Sequence, residues 1–329
     1  MRTRTSLSRT LALALTTLAV GACSDATQPV APAVPAAASL AKGGPQALPT
    51  NGRIYFTSNF AGGGPDVYSV NPDGSDRRRL TYTADDSEWS LDVSRDGKKL
   101  VTASHALGGT EGRIYTMNVD GSNRRLVTSR PDGLVSGPAW SPDGRAIAYA
   151  SASLSNLNEN TIWTVTASGG KVTQLTQPGL NASSPSWSPD GTRIVYSASP
   201  PGLGNENLYI VNADGSAAEL LYDCVGSCTN PVWSRDGVRI YYVASGQGSV
   251  QIQYCALQQS GAICDIPLAT SLTTFMFALS PDESQFVFRK DEVDISGLAD
   301  RVATANLNGS AQTPITGNLT SITDLVWGR

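Results

Sequence analysis

Histidine occurs once in 329 residues, at position 105, and methionine three times. A single imidazole excludes any multi-histidine metal centre and leaves a Ser-His-Asp or Cys-His scheme one candidate base, His105. Charged side chains make up only 16% of the chain, the formal charge is −4, and no extended Lys/Arg run occurs. That argues against nucleic acid as the partner, because phosphate binding needs clustered cations. The chain contains neither a G-x-S-x-G nucleophile elbow nor a D-x-[DN]-x-[DN]-G-x5-E calcium loop. Apolar residues are not scarce: at 40% they suffice for a large core and exclude a mostly disordered chain. The length allows one large all-β domain or two ordinary ones.

The N-terminus reads as an address followed by a tether. Arg2, Arg4 and Arg9 precede Leu11–Leu15 and Leu18–Ala22, an apolar stretch interrupted by Thr16 and Thr17 and too short to span a bilayer. Residues 1–22 are therefore expected to be a cleaved signal, whose loss takes the formal charge from −4 to −7. Val20-Gly21-Ala22-Cys23 resembles the bacterial lipobox, which implies acylation of Cys23 as the mature N-terminus; an ordinary signal with an incidental Cys is the alternative. Several acyl chains on one residue supply the anchors that stable attachment needs. Ser24 follows the Cys and Asp first appears at position 25, which by resemblance to the enterobacterial sorting pattern favours the outer membrane over the inner. Residues 24–50, with five Pro and eight Ala, read as a semi-extended linker. As polyproline II it would reach roughly 80 Å. The expected organisation is signal 1–22, lipidated Cys and linker 23–50, and one folded domain over 51–329.

That domain repeats itself. Ser94-Arg-Asp-Gly97, Ser141-Pro-Asp-Gly144, Ser188-Pro-Asp-Gly191, Ser234-Arg-Asp-Gly237 and Ser280-Pro-Asp-Glu283 are copies of one turn, in steps of 47, 47, 46 and 46 residues. A second turn recurs out of phase, at Asp73-Gly-Ser75, Asp120-Gly-Ser122, Ser168-Gly-Gly170, Asp214-Gly-Ser216, Gln259-Ser-Gly261 and Asn308-Gly-Ser310. Between them lie short runs rich in β-branched and aromatic residues, as in Pro138–Ser141, Ala146–Ala150, Thr161–Val165 and Lys171–Leu175. Four antiparallel strands per unit, repeated radially, is the signature of a β-propeller. The last first-strand copy, Asp324–Trp327, ends the chain, while Asn51–Phe56 begins as a second strand without its first. The two are predicted to share a blade, which gives six blades and closes the ring.

At these residues the chain resembles the TolB-type propeller repeat. Trp140-Ser-Pro-Asp-Gly144, Trp187-Ser-Pro-Asp-Gly191, Ile54-Tyr-Phe56 and Asn71-Pro-Asp-Gly-Ser75 with Leu80-Thr81 carry the resemblance over residues 51–329. It implies the fold; the same repeat serves translocation-associated proteins, peptidase propellers and sugar lyases.

Trp140, Trp187, Trp233 and Trp327 share one repeat position with Val93 and Leu279, so they are expected to pack between blades and not to stack on a ligand. Asp73, Asp120 and Asp214 are expected to serve turns. Cys255 and Cys264 face each other across the Gln258–Gly261 turn, and disulfides 224–228 and 255–264 are expected; a four-Cys zinc site is the alternative. His105 is expected to lie in an exposed loop. The turns joining the first and second, and the third and fourth, strands of each unit are uniform, whereas Asn59–Pro65, Ala106–Gly112, Ala152–Asn160, Pro200–Asn205 and Lys290–Leu298 vary. Varied loops on a rigid scaffold usually carry binding. This diverse face, acidic overall, offers Asp85, Asp86, Glu88, Trp89, His105, Arg130, Asn156, Asn158, Glu159, Asn160, Glu206, Asp291, Glu292 and Asp294. The expected function is a non-enzymatic, lipid-anchored, periplasm-facing module, monomeric, that binds an envelope protein or polymer without a cofactor. Its rival is a lyase, lactonase or hydrolase using channel carboxylates such as Asp92 and Asp324, with or without a divalent metal.

Overall fold

The repeat builds six four-stranded antiparallel blades, and every regular element among the described residues is a strand. The computed structural model describes residues 52–328 apart from 60–63, 85, 201, 203, 247, 259–260, 270–273, 295–296 and 320. The signal, Cys23, the linker and Asp85 lie outside them. From the axis outwards, blade 1 is Ile322–Trp327, Ile54–Ser58, Asp66–Val70 and Arg78–Arg79. Blade 2 is Asp86–Val93, Lys99–Ala106, Gly112–Asn118 and Arg125–Arg130, and blade 3 is Gly133–Trp140, Ala146–Ser153, Asn156–Thr166 and Val172–Gln174. Blade 4 runs from Asn181–Trp187 to Glu219–Tyr222, blade 5 from Ser227–Trp233 to Gly261–Ala269, and blade 6 from Phe277–Leu279 to Thr313–Pro314.

The two turns are built the same way in blade after blade. In each Ser-x-Asp turn the Ser hydroxyl donates to the Asp carboxylate, at 2.6 Å in Ser94–Asp96, Ser141–Asp143 and Ser188–Asp190. The same hydroxyl accepts the amide that opens the second strand, as from Lys99 and Ala146 at 2.9 Å. Asp73, Asp120 and Asp214 each accept the amide of the Ser two residues on, at 2.9 Å, so they act as turn residues. Glycine is required in the second turn for two reasons. Gly121 sits at φ +86°, and a Cβ there would come within 2.4 Å of the Leu80 carbonyl oxygen of the preceding blade.

The core is divided among the seams. Apolar clusters fill the junctions, with Tyr55, Val67, Leu91 and Leu100 between blades 1 and 2, Val101, Ile114, Val135 and Ile147 between blades 2 and 3, and two separate clusters between blades 4 and 5. The repeat-position residues sit in these seams as expected, with Trp187 against the blade 3–4 cluster, Trp233 in one blade 4–5 cluster and Trp327 in the blade 6–1 cluster. Cys224–Cys228 and Cys255–Cys264 are both disulfides, which removes the four-Cys zinc alternative.

Two stretches read as varied loops are mostly strand. Ala152–Asn160 and Lys290–Leu298 form the ends of long hairpins, with Ser153 opposite Asn156 and Asp294 opposite Gly297. Their polar residues hid the pairing, because hairpin tips beyond the core show no hydrophobic alternation.

Closure follows the predicted strand pairing, with Ile54, Tyr55, Phe56 and Thr57 opposite Trp327, Val326, Leu325 and Asp324. The Trp327 indole N–H donates to the Gly52 carbonyl at 3.1 Å, and the Gly328 amide to Arg53 at 2.9 Å. Trp327→Ala should therefore cost about 3–5 kcal/mol, the usual range for a buried Trp. Deleting 322–329 should leave the ring without a cooperative transition, since whole domains hold only about 5–15 kcal/mol. Thermal and urea melts check both; a truncated chain melting within a few degrees of the parent contradicts the closure.

Candidate functional site

Six innermost strands surround a channel holding a cavity of about 500 Å³. Its wall runs from Ser136, Ser183 and Thr323 to the turn residues Arg95, Pro142, Pro189, Arg235 and Pro281. The cavity thus reaches the uniform, tight-turn face, where Arg95 Nη1 of blade 2 bonds the Pro189 carbonyl of blade 4 at 2.9 Å.

Two carboxylates on first strands, Asp92 and Asp324, line this channel as expected from their place, and Glu283 in the blade 6 turn is a third in its wall. Asp92 accepts the amides of Val93 and, from the next blade, Trp140, both at 2.7 Å. Asp324 does the same with Leu325 at 2.8 Å and with Leu91 of the next blade at 2.9 Å. Each thus engages both oxygens in backbone bonds and staples one blade to the next. Burial pushes both carboxyls up to about 7, against the pull of these bonds, and the Asp324 charge raises Asp92 further.

Aligned repeats show that the stapling position recurs. Asp324, Ser90, Ser184 and Asn230 all stand three residues before the seam residue. Ser90 Oγ accepts the Gly137 amide at 3.0 Å, Ser184 Oγ donates to Asn230 Oδ1 at 2.9 Å, and Asn230 Nδ2 donates to the Phe275 carbonyl at 2.6 Å. Together they form a polar girdle around the axis. Sequence reading overlooked it, although the repeat alignment contains the signal. Among the described residues, no group of three or more His, Cys, Asp or Glu is placed to share a metal ion.

On the opposite face, several acidic candidates are turned inward. Asp86 is buried and bonded to Arg113 at 2.6 Å and Arg124 at 2.9 Å. Glu88, fully buried, pairs with Arg124 at 3.1 Å and accepts from Thr83 Oγ1 at 3.0 Å; burial pushes its carboxyl up to about 7. Glu206 is half-buried beside Ser183, and Asp291 pairs with Arg289 at 2.9 Å. Arg130 stacks over Trp163 at 5.6 Å, and Asn160 bonds Asn181 at 2.8 Å. Glu159 is exposed, while the side chains of Asn158, Glu292 and Asp294 lie outside the described part. His105 is not in an exposed loop. It is the last but one residue of the second strand of blade 2, half-buried, with Nε2 3.0 Å from the Val135 carbonyl and its ring 6.4 Å from that of Trp89; burial lowers its pKa.

What this face presents instead is apolar. Of the twelve exposed large hydrophobic residues among those described, seven lie here: Tyr82, Trp89, Leu107, Leu154, Leu157, Val225 and Phe275. Tyr82 is 73% exposed, Trp89 43%, Phe275 50% and Val225 81%. Val225 is held on the Cys224–Cys228 disulfide loop. Trp89 and Phe275 occupy the same repeat position, on the two blades that flank blade 1. On the tight-turn face only Val238 is comparably exposed among the described residues; the remaining four are on outermost strands.

The channel carboxyls fix a pH dependence. An aspartate in the unfolded chain ionises near 4, so protonation of Asp92 and Asp324 favours the fold. This contribution is complete below about pH 4 and is lost as pH rises through about 7. The melting temperature should fall between pH 5 and pH 8, and the fall should shrink in the Asp92→Asn/Asp324→Asn variant. Calorimetry across that range checks it; parallel profiles contradict the assignment.

Comparisons with known proteins agree with this architecture. TolB from Acinetobacter baumannii superimposes with a TM-score of 0.69 at 17% identity, covering 85% of this chain and 68% of that one. Oligogalacturonate lyase from Vibrio parahaemolyticus gives a TM-score of 0.55 at 15% identity, covering 80% and 74%. An oligogalacturonate lyase in complex with manganese gives 0.56 at 16% identity, covering 80% and 73%. At such identities the likeness concerns the fold alone. No curated protein sequence matches the chain significantly. Residues 104–325 match the TolB beta propeller domain, two-thirds of the sequence, and the chain belongs to that family.

Proposed function

We propose that this protein is a non-enzymatic binding module of the bacterial cell envelope, held by a lipid on Cys23 through the 24–50 linker. It engages an envelope protein through its diverse face. The observation that carries this reading is the segregation of exposed apolar side chains to that face. Scattered exposed hydrophobics are ordinary, but a set gathered on one side of a rigid ring marks a protein contact. Trp89 is the anchor type that interfaces favour, and the disulfide presents Val225 at low entropic cost.

The enzymatic rival draws on Asp92 and Asp324, whose raised pKa values suit acid–base work. Their oxygens are engaged by backbone amides on both sides, which favours the stapling role over chemistry.

Photo-crosslinking in intact cells tests the proposal. Photoreactive residues at Trp89, Val225 and Phe275 should capture a common protein, and one at Val238 should not; no adduct, or the same adducts from Val238, overturns the contact face. Cys23→Ala should move the protein from the membrane fraction to the soluble periplasm, and unchanged fractionation overturns the anchor.

A further inference from the structure

Cations on the tight-turn face are unevenly matched. Elsewhere the arginines are mostly paired with acids or stacked on rings: Arg53 with Asp76, Arg79 with Asp66, Arg113 and Arg124 with Asp86, Arg239 with Asp236, and Arg193 over Trp233. Between blades 2 and 3 the pattern breaks. A cleft of about 890 Å³ opens there, next to the channel mouth, and Arg95, Lys99, Arg125 and Arg145 all line it. Among the described residues, three of these have only neutral oxygens as bonding partners. Arg95 bonds the Pro189 carbonyl at 2.9 Å, Lys99 the Asn118 amide oxygen at 2.6 Å, and Arg125 the Ala167 carbonyl at 3.0 Å. Arg145 is widely exposed and reaches Asp143 only at 3.9 Å.

The two acids in the wall offset only half of the four cations. Asp96 and Asp143 each accept a Ser hydroxyl and a backbone amide within their own turns, and those bonds hold their carboxyls below the usual range. The cleft therefore keeps a formal charge of +2 in a protein whose whole charge is −4. Arginine and lysine in excess of the acids around a concavity form a site for anions.

From this geometry we infer that the blade 2–3 cleft binds a linear polyanion, a chain bearing carboxylate or phosphate groups. The four cations are spread over both blades, Lys99 and Arg125 opening two strands of blade 2 and Arg95 and Arg145 standing in the first turns of blades 2 and 3, which suits charges spaced along a chain. Half-buried Trp140 and Pro142 add an apolar wall. A flat bilayer cannot enter a concavity between blades. This site is on the opposite face from the proposed protein contact and does not depend on it.

The test uses the secreted chain carrying Cys23→Ser, so that no acyl group anchors it. Calorimetric titration at low salt with oligogalacturonate and with inorganic polyphosphate should show binding to at least one, and preference between them identifies the anion. Affinity should fall at least tenfold in Lys99→Gln/Arg125→Gln, with melting unchanged, and should stay unchanged in Arg78→Gln, which removes one surface charge on blade 1. Neutral maltooctaose should not bind. The inference is overturned if neither polymer binds, if maltooctaose binds equally, or if the blade 1 variant weakens binding as much as the cleft variant. Capture by phosphatidylglycerol vesicles without binding to either polymer would assign the cations to a membrane surface and also overturn it.

Discussion

Everything in this ring depends on the seam between neighbouring blades. A four-stranded sheet of this size buries little by itself; each face becomes interior only when the next blade covers it. The apolar clusters follow that logic, since each draws side chains from two adjacent blades. A seam also has two sides, so an open ring would leave two unpaired faces, and the joint of blade 6 with blade 1 matters as much as any other. The chain meets this demand by taking the first strand of blade 1 from its C-terminus and the other three from its N-terminal end.

The same demand explains why so much of the fold is legible in the sequence. A seam needs one bulky residue at a fixed place, and Trp140, Trp187, Trp233 and Trp327 appear there at the repeat step. The turns need Gly at positive φ and a Ser–Asp pair, and both recur at the same spacing. Repetition turns weak local signals into a strong one, so the blade count and the pairing of the terminal strands are both legible in the spacing of the repeats.

The functional surface lacked that advantage, because it is what the repeats do not share. Asp86 and Glu88 looked like solvent-facing acids, but Arg113 in the third strand of the same blade and Arg124 just before its fourth, both distant in sequence, fold over them. Nothing local announces such a partner. The exposure of Trp89 and Phe275 was hidden for a related reason. Trp89 lies in a strand among buried neighbours, and only the bulge between Glu88 and Ser90 shows how it departs from the pleat; Phe275 precedes the first strand of blade 6. Sequence located the face that varies; the structure showed that its distinctive chemistry is apolar.

A division of labour between the two faces follows from the same constraint. The tight turns hold the second and fourth strands in register and abut the preceding blade, as Gly121 does against Leu80, so their backbones cannot drift. Their outward side chains are less constrained: Arg95, Lys99 and Arg145 could gather beside one seam without disturbing a turn. On the far face the connections carry less of the load, and length and composition vary there. The channel lies between the two, where the inner strands converge, and its polar residues are already committed. Asp92 and Asp324 cannot leave their backbone partners without loosening two seams. Selection for binding therefore acts most freely on the surfaces away from the axis, the apolar tips on one side and the cationic cleft on the other.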